Sequence, residues 1–131
     1  MVPELLVADF VRSRAFYVDV LGFQVCFERT DPDFVYLRLD GVQLMLEADH
    51  DSAWCTGALE APRGRGINLQ IEVKDAAALR DAVLAAGHQL FQDVEDSRYT
   101  VGDSEEGQRE FLLQDPDGYL LRFIEPLFRD V

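Results

Sequence analysis

The stretch VADFVRSRAFYVDVLG, residues 7–22, decides the fold. Asp9 precedes a run in which apolar residues recur near helical spacing, and a carboxylate there can accept hydrogen bonds from the first helical turn. Gly22 follows the last apolar residue, where helices commonly end in a left-handed residue. The stretch therefore predicts a helix from Phe10 to Leu21 with one face directed at a core.

A second stretch, VKDAAALRDAVLAAG at residues 73–87, repeats the order of capping Asp75, helix and terminating Gly87. Each half then closes on an Asp-Gly turn that leads into an apolar strand, at residues 40–46 and 117–123. The sequence thus predicts an α+β fold of two tandem βαβββ modules, about 1–60 and 66–128, within one domain spanning 1–131.

Apolar and β-branched runs between these signals set the remaining elements. The predicted strands after the first helix are 23–27, 34–39 and 42–48, and those of the second half are 67–73, 88–91, 110–114 and 119–124. Residues 49–66 lack periodicity and are predicted to form a connector. Residues 93–108 are interpreted as a long acidic stretch outside the strands.

Composition limits the classes of function. The chain has 25 Asp and Glu residues against 12 Lys and Arg, which gives a formal net charge of −13. This excess argues against nucleic acid and anionic membranes as partners and favours a cationic ligand, with simple solubility as the alternative. The sequence contains neither a membrane-helix run nor a signal-peptide pattern, so a cytoplasmic protein with reduced Cys26 and Cys55 is expected.

Two motifs resemble the vicinal oxygen chelate superfamily, which includes glyoxalase I, extradiol dioxygenases and bleomycin resistance proteins. They are residues 7–23 and FLLQDPDGYLLRF at 111–123. With residues 67–87 the resemblance covers nearly the whole chain, and GVQLMLE at 41–47 looks most like the bleomycin-resistance branch. The resemblance implies sheets that curl into an open, barrel-like cleft, and a dimer that in some members exchanges its first strand.

Metal-dependent members of the superfamily hold a divalent ion with up to four ligands, one from each of four strands. The resemblance places these positions at Val2, Met45, Asn68 and Arg122. Catalytic ions take imidazole, thiolate or carboxylate ligands, and Arg122 instead brings a fixed positive charge. We therefore predict no family-type metal site and no cofactor. An unusual metal arrangement using Glu4, Glu47 or Gln70 is the remaining alternative.

Strand periodicity divides the side chains between two faces. One face is apolar and expected to pack on the helices, and Ile67 is assigned to it. The other is mixed and fits hydrogen-bonded recognition of an organic ligand with a flat part, with a solvated sheet face as the alternative. Together with the connector tryptophan, the predicted ligand-binding residues are Phe34, Tyr36, Arg38, Gln43, Met45, Glu47, Trp54, Asn68, Gln70 and Arg122. Ile124 is assigned to this face, whereas His50 and His88 are expected to face solvent.

The leading hypothesis is a non-catalytic protein of the bleomycin-resistance type. It would sequester a cationic, flat, antibiotic-like molecule in the cleft of a homodimer, without metal, cofactor, nucleic acid or membrane. One alternative is a metal-dependent lyase or oxygenase with an atypical site, which a stoichiometric divalent ion in the purified protein would support. The other is a small-molecule sensor or partner subunit, which a dimer without bound ligand or resistance phenotype would favour.

Overall fold

A computed structural model describes residues 1–129 of the chain. It divides into two compact units: the first comprises residues 1–65 with 115–119, and the second comprises residues 66–114 with the strand that begins at Leu120. Both predicted helices form, and the second has 10 residues. Among the described residues no helix is long and apolar enough to cross a membrane.

The first unit is one open sheet of mixed direction with a helical segment. Its elements are β1 (Glu4–Val7), α1 (Phe10–Ala15), a π-helical segment (Phe16–Val20), β2 (Gln24–Arg29), β3 (Phe34–Leu39) and β4 (Val42–Ala48). The strand order is β1-β4-β3-β2, in which β1 runs parallel to β4 and the other pairs are antiparallel. The predicted bounds of β3 and β4 are confirmed.

The second unit repeats the plan with longer strands. Its elements are β5 (Asn68–Glu72), α2 (Ala76–Ala85), β6 (Gln92–Val101), β7 (Ser104–Gln114) and β8 (Leu120–Arg129). The strand order is β5-β8-β7-β6, and β5 runs parallel to β8. Two successive βαβββ modules, and hence the predicted α+β fold, are confirmed.

The capping carboxylates start both helices as the sequence predicts. Asp9 Oδ1 accepts a hydrogen bond from the Arg12 backbone N–H at 3.1 Å, and Asp75 Oδ1 accepts one from Ala78 at 2.9 Å. The first helix then widens: the Leu21 N–H donates to the carbonyl of Phe16, five residues back, at 3.1 Å. The sequence pattern did not reveal this π-helical turn.

Within the first unit, a buried hydrogen-bond cluster holds the turn at residues 115–119. The hydroxyl of Tyr17, on the π-helical turn, donates to Asp115 Oδ2 at 2.8 Å. Asp115 Oδ1 accepts the backbone N–H groups of residues 117–119 at 2.9–3.0 Å. Burial raises the pKa of Asp115 to about 6, although the bonds from Tyr17 and the backbone oppose that rise. The π-helical turn therefore positions a tyrosine that holds this turn.

The core of each unit lies on the apolar strand faces. In the first unit the fully buried strand residues are Val7, Val35, Leu37, Leu44 and Leu46. In the second unit Phe111 and Phe123 stack with their ring centroids 5.1 Å apart. Burying an aliphatic or aromatic side chain of this size contributes about 1.5–3 kcal/mol, so each of these strand residues adds to the stability of its unit.

Three predictions for the second unit are wrong. No strand covers residues 88–91; β6 begins at Gln92, and Phe91 is 61% exposed. The acidic stretch 93–108 is largely a β6–β7 hairpin, in which Arg109 pairs with Asp96 across the strands. Because β6 is an edge strand largely exposed on both faces, it carries no hydrophobic alternation to predict it. Ile67 precedes β5 and is 58% exposed rather than packed.

Candidate functional site

The polar face of the first sheet gathers residues from all four strands. β1 pairs with β4 so that Glu4 lies opposite Met45 and Leu6 lies opposite Glu47. Since alternate residues share a face, these four side chains are neighbours on one side of the sheet. β3 adds Phe34, Tyr36 and Arg38, which lie opposite Glu47, Met45 and Gln43. The period-two face assignment for these strands therefore agrees with the strand register.

Two carboxyl groups meet on this face. Glu4 and Glu47 lie on the same face of neighbouring strands, and His50 Nε2 lies 3.3 Å from Glu47 Oε2. Burial raises the pKa of Glu4, and the charge of Glu47 raises it further, whereas Arg29 and His50 act in the opposite direction. His50 is thus half-buried against a carboxylate instead of facing solvent as expected.

Aromatic rings lie farther along the same face. Phe27 stacks on Tyr36 with the centroids 5.1 Å apart and the planes 23° apart, and Phe27 is 50% exposed. Phe34 is 2% exposed, because Phe27 packs beside it and the Arg29 guanidinium lies 4.1 Å from its ring centroid. Phe34 is therefore covered by neighbouring side chains, whereas Phe27 leaves a flat apolar surface exposed to solvent.

The tryptophan lies at a pocket of ≈ 350 Å³, called here the Trp54 pocket. Its lining residues are Glu4, Leu6, Trp54, Cys55, Thr56, Gly57, Ala58, Leu59 and Tyr119. Trp54 itself is 95% exposed. Tyr119 is held in place because its hydroxyl donates to the Leu6 carbonyl at 2.9 Å. A bare indole, a carboxyl group and a fixed phenol ring thus border one pocket within the first unit.

Arg63 fixes the end of the connector that contributes to this pocket. Its guanidinium donates to the Leu6 carbonyl at 2.9 Å and to both carboxylate oxygens of Asp49, at 2.8 and 2.6 Å. The side-chain bond to Asp49 raises the pKa of Arg63, so its charge is permanent. The connector is consequently tied to β1 although it has no helix or strand of its own.

The second unit has a groove of its own, ≈ 380 Å³ in volume. It is lined by Gln70, Glu72, Tyr99, Glu106, Gly107, Gln108, Arg122, Ile124 and Pro126. Arg122 donates to the side-chain oxygen of Gln70, and its Nε lies 3.2 Å from a carboxylate oxygen of Glu110. The guanidinium on this groove is therefore already neutralised and hydrogen-bonded within the sheet.

The ten predicted ligand-binding residues are distributed over the two units. Met45 and Glu47 lie on the face that Glu4 shares, and Trp54 lies at the pocket that Glu4 lines. Tyr36 and Gln43 bond to each other at 2.7 Å. Arg38 borders a separate depression of ≈ 270 Å³. Asn68, Gln70 and Arg122 belong to the second unit, where β5 and β8 pair.

Several lining residues were not predicted from the sequence. From the sequence, Glu4 is a candidate only for an unusual metal ligand, and Leu6, Tyr119 and residues 55–59 are not predicted to line a binding site. The signal for Glu4 was present, because it is the charged residue that begins the strand Glu4-Leu5-Leu6-Val7. No signal identified residues 55–59, since an irregular segment has no periodicity from which to assign a face.

The donor set does not fit the divalent ion that metal-dependent superfamily members hold. Val2 lies outside β1, and the residue that β1 places opposite Met45 is Glu4. In the second unit Gln70, not Asn68, lies opposite Arg122, whose guanidinium uses the Gln70 oxygen. Within residues 1–129, no group of three or more His, Cys, Asp or Glu side chains is arranged to hold a metal ion. Of the four positions that the resemblance gives, Met45 supplies a thioether, Asn68 an amide and Arg122 a guanidinium. Such a set offers a divalent ion too few ionised ligands.

Comparison with known proteins gives a family. Residues 3–124 match the family model described as a glyoxalase-like domain. A glyoxalase/bleomycin resistance protein/dioxygenase superfamily member from Vibrio splendidus 12B01 is 40% identical over 95% of each chain, with a TM-score of 0.45. No protein among those with curated functions matches the chain.

Two further solved structures share the fold. TioX from Micromonospora sp. ML1 is similar with a TM-score of 0.76 and 23% identity, over 97% of this chain and 98% of that one. A glyoxalase/bleomycin resistance protein/dioxygenase from Alicyclobacillus acidocaldarius has a TM-score of 0.63 and 24% identity, over 98% and 91% of the two chains. At these identities the similarity establishes the fold alone.

Proposed function

Because the chain belongs to the glyoxalase-like family of the vicinal oxygen chelate superfamily, we propose that it has kept the scaffold and works as a binding protein for a flat organic cation. The ligand would be of antibiotic-like size and would occupy the Trp54 pocket without turnover. The observation that carries this proposal is a 95% exposed tryptophan on a pocket that also holds a carboxyl group.

Charge supports a cationic ligand. Glu4 lines the Trp54 pocket, and Glu47 lies on the same face of the neighbouring strand. A ligand ammonium or amidinium placed beside these carboxyl groups would gain charge-assisted hydrogen bonds, which are about twice as strong as neutral ones. The net charge of −13 would also draw a cation toward the protein at low ionic strength.

The exposed ring supports a flat ligand. An isolated tryptophan exposed to water gains about 0.5–1.5 kcal/mol from stacking beyond the area it buries, and about 0.5–2 kcal/mol more if the stacked ring is cationic. A volume of ≈ 350 Å³ lies at the small end of the range for ligand sites, which is roughly 300–1,000 Å³.

Fluorescence of the single tryptophan tests the proposal directly. N-methylacridinium is a flat permanent cation, and N-methylacridone is a neutral ring of similar shape. We expect saturable quenching by N-methylacridinium with one site per chain, and binding of N-methylacridone weaker by about tenfold, the equivalent of about 1.4 kcal/mol. Bleomycin, suggested by the superfamily, is titrated in parallel as an antibiotic.

Matched variants separate the pocket from general charge attraction. Glu47→Gln should weaken N-methylacridinium binding by about three- to tenfold, whereas Glu105→Gln removes the same charge from an exposed site on β7 and should have no effect. Equal loss in both variants, or equal affinity for the cation and the neutral ring, would refute a specific cation site.

A further inference from the structure

The turn at residues 115–119 ends in Tyr119, which borders the Trp54 pocket and is held at both ends. Its backbone N–H donates to Asp115 Oδ1 at 2.9 Å, and its carbonyl accepts the Asp115 N–H at 2.9 Å. Its hydroxyl donates to the Leu6 carbonyl on β1 at 2.9 Å. The phenol ring is therefore fixed in the free protein, whereas the Trp54 indole on the same pocket is 95% exposed.

Asp117 ties the same turn to the strand that carries Leu6. Its side chain accepts a hydrogen bond from the Ala8 N–H, just after β1, at 3.1 Å and one from the Ser13 hydroxyl on α1 at 3.4 Å. Leu6 lines the pocket as Tyr119 does. These bonds consequently hold two lining residues of the Trp54 pocket in a fixed relation to each other.

Tyr17 supports the turn from inside the first unit. Its hydroxyl donates to the other oxygen of Asp115, Oδ2, at 2.8 Å, and its side chain is fully buried. It lies on the π-helical segment Phe16–Val20, and π-helical turns are rare and frequently occur at functional sites. A buried Tyr17 cannot contact a ligand, but hydrogen bonds connect it to the pocket through Asp115 and Tyr119.

We propose that Tyr119 is a ligand-binding residue of the Trp54 pocket, and that Asp115 and Tyr17 are positioning residues that fix its ring before the ligand arrives. This inference rests on the proposed function and adds what sets the affinity of that site. A ring that is already fixed loses little freedom when a flat cation packs against it. A loose ring must be immobilised on binding, and that loss of freedom weakens the complex.

Tyr119→Phe tests the fixed ring, with N-methylacridinium as the probe in calorimetry. The substitution keeps the ring and removes only the hydroxyl, and the Leu6 carbonyl still accepts a hydrogen bond from Arg63 at 2.9 Å. We expect Tyr119→Phe to bind about two- to tenfold more weakly than wild type, the cost of immobilising one side chain. Tyr119→Leu, which also loses the ring, should bind more weakly still. Equal affinity of wild type and Tyr119→Leu would overturn the inference.

Asp115 variants test the positioning role. Asp115→Ala removes the acceptor of the N–H groups of residues 117–119 and should weaken binding by about two- to tenfold. Asp115→Asn keeps a side-chain oxygen for the turn and should restore most of the affinity. Val35→Ala is the matched control, because Val35 is fully buried on β3 away from the turn; it should lower stability without changing the affinity. Equal loss of affinity in Asp115→Ala and Val35→Ala would overturn the positioning role.

A double variant shows whether Tyr17 acts through Tyr119. Tyr17→Phe should weaken binding by about twofold or more in the wild-type background. It should leave the affinity of Tyr119→Leu unchanged, because the ring that Tyr17 positions is then already absent. The same fractional loss in both backgrounds would overturn this inference and leave the proposed function intact, whereas a wild-type protein that does not bind N-methylacridinium would overturn both.

Discussion

Replacing Asp115 by alanine tests the cluster that fastens the turn at residues 115–119. Asp115 is 5% exposed and accepts four hydrogen bonds, three from backbone N–H groups and one from Tyr17. Leaving the fully buried Tyr17 hydroxyl without an acceptor costs about 1–3 kcal/mol, and each lost turn bond costs about 0.5–1 kcal/mol. We expect Asp115→Ala to lower the free energy of unfolding by about 3–5 kcal/mol.

Urea denaturation followed by circular dichroism measures this loss, provided the slope with denaturant is unchanged. Tyr17→Phe removes only the hydroxyl and should cost about 1–3 kcal/mol. The double variant should cost less than the sum, because both changes remove the same bond at 2.8 Å. A loss below about 1 kcal/mol for Asp115→Ala, or strict additivity, would refute the role given to the cluster.

Three further predictions concern the first unit. Since the folded pKa of Asp115 is raised to about 6 from an ordinary 3.8, its protonation contributes roughly 3 kcal/mol of stability that is present below about pH 4 and is lost as the pH rises through 6; the difference in the free energy of unfolding between wild type and Asp115→Asn should change by about this amount across the range. Gly118→Ala should cost about 2–4 kcal/mol in urea denaturation, because φ is +103° and the new Cβ would lie 2.5 Å from Pro62 Cβ, whereas Gly41→Ala meets no atom within 4 Å and should cost under about 1 kcal/mol. Trp54→Ala should change stability by less than about 0.5 kcal/mol, since the side chain is 95% exposed, yet weaken N-methylacridinium binding in calorimetry by tenfold or more; an unchanged affinity would show that Trp54 does not contact the ligand.

The sequence predicted those elements whose signals are local. Asp9 and Asp75 cap the helices, and Gly22 and Gly87 follow them with φ values of +82° and +88°. β3 and β4 alternate between buried and partly exposed residues, so period-two reasoning located both. Capping and one-sided burial are encoded within a few residues, which is why they could be predicted without a structure.

The rest depends on contacts between distant residues. β6 is held by pairing with β7 and not by a buried face, so its polar sequence resembled a loop. Tyr17, on the π-helical turn, bonds to Asp115, 98 residues away. The Glu4–Glu47 pair depends on the parallel register of β1 and β4. None of these partners is specified by spacing along the chain.

The candidate site is predicted mainly from which face of a strand a residue occupies. Strand parity selects Glu47 and the planar ring selects Trp54, and the structure places Glu4 on the face of Glu47 and at the pocket of Trp54. Phe34 was chosen by strand parity, which assigns a face but not a depth, and Phe27 and Arg29 cover it. Ile124 shared the same parity and is 4% exposed. Parity alone therefore could not separate lining residues from supporting ones.

The central claim is that the Trp54 pocket binds a flat organic cation without a metal ion. A crystal structure of the protein with N-methylacridinium, grown after dialysis against a chelator, tests it most directly. We expect the ring stacked on the Trp54 indole with its charged nitrogen beside Glu4 and Glu47. Density for the ligand elsewhere, or a ligand held through a metal ion, would contradict the account.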